Sequence, residues 1–219
     1  MQMHQSQPIR SPMLRMLALT GALIAGAMPL GSQAQANPQL PPMTKAEATE
    51  YIKDNDIYPI AGNLAGMIMN GRIDDVRATL AVGVDPNEKT VLPHTPIKLA
   101  TMTCSGKQVP VEDIVTMIRV LAAGGAIVNT PSPDASPMIT AAQQCPTPVV
   151  KALLALGGDR NARTTQGFTP LSMALIVRNY DAAQALIDSG ATISKEAAEK
   201  LNQSAQDDKA KALIKKATK

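Results

Sequence analysis

The feature that most constrains this chain is a segment that occurs more than once. TPLSMALIVRNYDAAQALIDSGATIS, starting at Thr169, aligns with SPMITAAQQCPTPVVKALLALGGDRN, which starts at Ser136, 33 positions earlier. TPIKLATMTC starts at Thr95, 41 positions before Ser136. Glycines keep the same phase at Gly83, Gly125, Gly157 and Gly190. Four positions after each stands a polar residue, Asn87, Asn129, Asn161 or Ser194. A period in this range marks units too small to bury their own apolar face, which become stable only by stacking on one another.

Each unit reads as a helical hairpin. Thr95, Ser136 and Thr169 are of the type that caps a helix start through a side-chain oxygen. Pro96, Pro137 and Pro170 follow at the first helical position, where the missing N–H costs nothing. A short helix comes next, LSMALIV in the last copy. A second helix then carries Val149/Val150 with Leu153/Leu154, or Ala182/Ala183 with Leu186/Ile187, apolar pairs at helical spacing. The recurring glycine ends that helix in the left-handed conformation, and an extended stretch turns at Gly167 into the next Thr-Pro.

On GFTPLSMA, NYDAAQALIDSGA and CPTPVVKALLALGGDRN the chain resembles the ankyrin repeat, whose pattern is G-x-T-P-L-H-x-A followed by a second helix ending in G-A-D-x-N. A first copy is visible as GRIDDVRATLAVGVDPN, Gly71 to Asn87, with its Thr-Pro start decayed to Gly62-Asn63. The resemblance implies an all-α solenoid of about four helix-turn-helix repeats with hairpin-like turns over residues 60–194. One departure stands out: Lys98, Thr140 and Ser172 replace the histidine of the pattern, which weakens the expected hydrogen-bond ladder between repeats. The ends read as caps, as a solenoid requires. Residues 44–59 hold an amphipathic helix with a Thr44–Glu47 capping box. Residues 195–219 hold a last helix pair, with Asp207 and Asp208 near a helix start and Lys215, Lys216 and Lys219 near its end, as the helix dipole prefers.

Ahead of the repeats, residues 1–36 have the organisation of a secretory signal peptide: Arg10 and Arg15, the apolar run Met16–Gly31, and the small-x-small site Ala34–Ala36. Cleavage there would start the mature chain at Asn37, with residues 37–43 as a Pro-rich linker, and would place the protein in a bacterial periplasm. A retained N-terminal segment would instead make it a membrane-tethered structural scaffold. Removing Arg10 and Arg15 from the 21 basic residues leaves 19 against 18 acidic ones. A nearly neutral chain has no electrostatic case for nucleic acid.

Composition and spacing argue against catalysis. Aromatic residues are only 2% of the chain, and of its two histidines His4 lies in the leader. His94 precedes the first helix of its repeat and Cys104 follows it, so they cannot share a proton as a Cys-His pair would. Two cysteines and one distant histidine do not make a metal site, and no phosphate-cradling glycine loop is present. The reading is a non-enzymatic, monomeric module with no cofactor or metal, and with no membrane contact once the leader is gone.

The resemblance also implies where it binds: a protein partner on the concave face formed by first helices and hairpin tips. Mapped onto this chain, that face holds Met69, Met102, Thr103, Gln143, Gln144, Ile176 and Val177 beside the inter-helix turns, and Val91, Leu92, His94 and Phe168 at the tips. The extra residues Ser105–Val115 in the second copy are a further candidate, with a second helix reaching back to Pro110. Cys104 and Cys145 occupy the same position in adjacent copies. In an exported protein they are a disulfide candidate, the alternative being two inert thiols.

Overall fold

The computed structural model describes residues 40–88, 93–106, 108–130, 132–204 and 207–218. The expected signal peptide and the expected tip residues Val91 and Leu92 therefore lie outside the described residues. Eleven α-helices are formed among those described: α1 (Lys45–Asp54), α2 (Ala61–Met69), α3 (Ile73–Ala81), α4 (Pro96–Met102), α5 (Val111–Ala123), α6 (Pro137–Gln144), α7 (Thr147–Ala155), α8 (Pro170–Ile176), α9 (Tyr180–Asp188), α10 (Lys195–Ser204) and α11 (Asp208–Ala217). The pairs α2/α3, α4/α5, α6/α7 and α8/α9 are the four repeats. They stack in two rows, with α2, α4, α6, α8 and α10 succeeding one another along one row and α1, α3, α5, α7, α9 and α11 along the other. The N-terminal cap is thus half a unit, a helix laid on α3, and the C-terminal cap is a complete pair. The fold is all-α, with no strand among the described residues.

Local chemistry sets most of the boundaries. Thr44 accepts from the Glu47 amide, and Glu47 returns the bond to the Thr44 amide at 2.8 Å. Ser136 caps Ile139, and α4, α6 and α8 begin at their prolines. Gly83, Gly125, Gly157 and Gly190 take φ of +103°, +90°, +81° and +93° and end α3, α5, α7 and α9, a conformation in which a β-carbon is strained. At the far end Asp207 accepts from the Ala210 amide at 2.8 Å, and Lys215 and Lys216 close the last turn of α11.

Three expectations are corrected. Thr95 starts α4, but its hydroxyl caps nothing and is buried with no partner among the described residues. The start of the first repeat is Ile60-Ala61, two positions before Gly62-Asn63. Apolar Leu64 and Ala65 then align with Leu99 and Ala100, all four buried. Finally, the ladder between repeats survives the loss of the histidines because asparagines carry it. Asn87 Nδ2 donates to the Gly125 carbonyl and its Oδ1 accepts from the Ile127 amide, both at 2.8 Å. Asn129 does the same to the Gly157 carbonyl and the Asp159 amide, at 2.9 and 2.8 Å. Each side chain thereby satisfies two backbone groups of the following repeat, groups that would be costly to leave unpaired.

The core lies between the rows and runs from Ile57 to Ala217 as one cluster of Ala, Leu, Ile, Val and Met. Its small residues, such as Ala78, Ala141, Ala174 and Ala182, are fully buried where helices touch. That is how a chain almost without aromatic residues reaches close packing.

Candidate protein-binding face

The first helices of the repeats are short, seven to nine residues, and bury one side against the outer row. Their last turns face away from the core. Met69 is 53% exposed at the end of α2, Met102 36% at the end of α4, and Ile176 and Val177 48% and 41% at the end of α8. Gln143 is exposed at the matching place on α6, and Phe168 at the tip leading into α8. These exposed residues, apolar except Gln143, form a discontinuous strip on the α2–α4–α6–α8 row. Tyr58 and Ile60 were not among the expected residues. They lead into α2 much as Phe168 leads into α8, and both are well exposed. Placing the start of repeat 1 two positions late hid them.

Not every expected residue is free to bind. Thr103 turns its hydroxyl back to the Ala100 carbonyl at 2.7 Å. Gln144 reaches across to the Thr101 carbonyl of the preceding repeat at 3.3 Å. Both act within the scaffold.

Between the strip and the tips lies a cleft of about 340 Å³ walled by His94, Lys98, Met102, Ser105, Asp134, Gln143 and Met173 among others. Lys98 holds the position of the missing histidine. It is buried, and its ammonium donates to the Asp134 backbone carbonyl of the next repeat at 2.8 Å. Burial pushes the ammonium below the ordinary lysine range, and the negative charge of Asp134 opposes that fall. The Asp134 carboxylate itself is engaged by the Thr165 amide and hydroxyl, at 3.1–3.3 Å. Lys98, Asp134 and Thr165 therefore link three successive repeats. Thr140 and Ser172, at the same position in the next copies, stay local. Thr140 bonds the Ser136 carbonyl, and Ser172 forms a reciprocal capping pair with Thr169. His94 stands at the edge of this cleft with Nδ1 buried and no hydrogen-bond partner among the described residues.

Cys104 and Cys145 lie at disulfide distance, with Cα atoms 5.1 Å apart. The helices could approach this closely because Cys104 sits in a 3₁₀ turn, Thr103–Ser105, that leaves the α4 axis before the inserted loop. The remaining extra residues lengthen α5 to thirteen residues, starting just after Pro110, against nine in α3, α7 and α9.

A larger cleft, about 720 Å³, lies on the other row, where Leu40–Met43 runs beside α3 and α5. Arg77 donates to the Pro41 carbonyl and pairs with Asp74 there. Leu40–Met43 forms one wall of this cleft. Among the described residues no group of three His, Cys, Asp or Glu could hold a metal ion, and no helix is long and apolar enough to cross a membrane.

Comparison with known proteins agrees with the stacked hairpins. Residues 111–197 match the family model described as ankyrin repeats (three copies). The ankyrin repeat protein YahD of Escherichia coli (strain K12) is 45% identical over 58 residues, which is 26% of this chain and 29% of that protein. Residues 111–197 of this chain are ankyrin repeats. The match to YahD spans less than a third of either chain, so the likeness carries the repeat alone. Ankyrin repeats are protein-interaction modules.

Proposed function

We propose that this ankyrin protein is an exported, non-enzymatic binding module of the bacterial envelope that holds a protein partner on its concave face. The observation that carries the reading is the apolar strip Met69, Met102, Phe168, Ile176 and Val177, exposed on one row of a scaffold whose core is otherwise closed. Exposed apolar side chains gathered on one face mark an interaction surface. A rigid stack holds them in register without an ordering cost on binding. Export is supported by the leader-like residues 1–36 and by a cysteine pair at bonding distance, which persists where thiols are not kept reduced. An inhibitor or immunity-type protein that blocks a toxin or enzyme, and an accessory factor in envelope stress protection, both fit a monomeric module of this kind.

The test of export is the N-terminus of the protein recovered from the periplasmic fraction. A chain beginning at Asn37 supports the reading, and a full-length chain held in the membrane overturns it.

A further inference from the structure

The cleft holds a cation, Lys98, with no carboxylate in direct contact among the described residues. The Lys98 ammonium carries three donors, of which one goes to the Asp134 backbone carbonyl. Among the described residues no carboxylate lies within ion-pair distance of it. The side chain is nevertheless 91% buried. Buried charges in folded proteins are paired almost without exception, because desolvation otherwise costs several kcal/mol. Asp134 supplies a nearby negative charge, but its carboxylate accepts from Thr165 and makes no direct ion pair with Lys98. The neighbouring His94 has Nδ1 out of water and without a partner among the described residues. Ser105 and Gln143 add polar groups on the same wall. The exposed Met102 lies on the same wall.

We propose that this cleft receives a carboxylate side chain, Asp or Glu, from the protein partner. Lys98 is its counter-charge, His94 Nδ1–H a second donor, and Met102 and Met173 the apolar contacts lining the cleft. A carboxylate fits this donor set better than a neutral amide, because it accepts from both groups and neutralises Lys98. The ammonium, held by the Asp134 carbonyl, is already oriented, so little side-chain entropy is lost when the acid enters. This proposal rests on the concave-face reading and sharpens it: the partner is recognised by one acidic residue set among apolar ones.

The probe is a pair of capped tripeptides, acetyl-Gly-Glu-Gly-amide and acetyl-Gly-Gln-Gly-amide, titrated into the purified full chain. Binding is read from the His94 imidazole resonances, with the His94→Gln variant assigning them. The Glu peptide is expected to shift His94 saturably and at least about tenfold more tightly than the Gln peptide, the margin of a buried charge pair. Lys98→Met, which keeps the aliphatic stem, is expected to erase that margin, and Lys98→Arg to retain most of it. Circular dichroism of both variants establishes that they are folded. Equal response to the two peptides, no saturable shift with either, or undiminished Glu selectivity in folded Lys98→Met would each overturn the carboxylate site. Capture of a partner that depends on Met69 and Ile176 but not on Lys98 would overturn it too, while leaving the concave-face reading in place.

Discussion

At Gly158 a β-carbon would stand 2.6 Å from Met138 Cε and 2.8 Å from the Leu153 carbonyl oxygen. The methionine can move, but the backbone of α7 cannot. Gly158→Ala should therefore destabilise the fold by about 1–3 kcal/mol, the usual range for overpacking, seen as a lower urea midpoint at unchanged slope. Asn129→Ala removes both rungs from repeat 2 to repeat 3 and should cost a similar amount, since it orphans an amide and a carbonyl. Tyr51 gives a pH signature. Its hydroxyl donates to Asp75 at 2.9 Å, tying α1 to α3, and burial followed by that bond pushes its pKa up to about 12 from 10. The folded state thus favours the neutral phenol. Its contribution is complete below pH 10 and is lost as pH rises towards 12. The stability difference between wild type and Tyr51→Phe should be flat at neutral pH and shrink across that alkaline window in urea titrations. These residue-level roles were poorly legible in the sequence. The asparagines were visible as a recurring polar position, but only packing shows that each meets the backbone of the next repeat. Lys98 read as a departure from a pattern, because its partner is a main-chain carbonyl that no spacing marks.

At the scale of the element, the helices were legible because their signals are local and agree. Thr-Pro or Ser-Pro at the start, apolar pairs within and glycine at the end fix each hairpin without reference to the rest of the chain. Where those letters are missing, as in the first repeat, the boundary slipped by two residues, and Tyr58 and Ile60 were overlooked with it. The inserted segment was legible as extra length. Its division into a 3₁₀ turn and a longer α5 depends on how α4 and α6 pack, which brings Cys104 to Cys145. That bridge closes 41 residues of chain. Reduction should lower stability by about 2–4 kcal/mol through the greater freedom of the unfolded chain. Paired unfolding curves with and without a phosphine reductant measure this, and thiol titration of the unfolded, unreduced protein should find no free thiol. Two free thiols would remove the bridge from the account.

Across the molecule, the stack of four helical hairpins followed from the repeat alone. Which side chains on the α2–α4–α6–α8 row are available did not. Gln144 and Thr103 share the exposed-looking positions of Met102 and Gln143, yet Thr103 turns back to the Ala100 carbonyl of its own helix and Gln144 reaches the Thr101 carbonyl of the preceding repeat, because local backbone geometry and the distance between repeats decide which polar group reaches which. What remains open on the concave side is an apolar strip around a cationic cleft, and binding is the central claim made for it. The most direct measurement is cross-linking and affinity capture from the envelope fraction, comparing wild type with the double variant Met69→Gln/Ile176→Gln, both side chains being exposed at helix ends and outside the core. A specific protein should be retained by wild type and reduced at least about tenfold by the double variant, the loss typical of two interface anchors, while the two proteins unfold at the same urea concentration. Retention of the same partner at full yield by a folded double variant would contradict binding through this face.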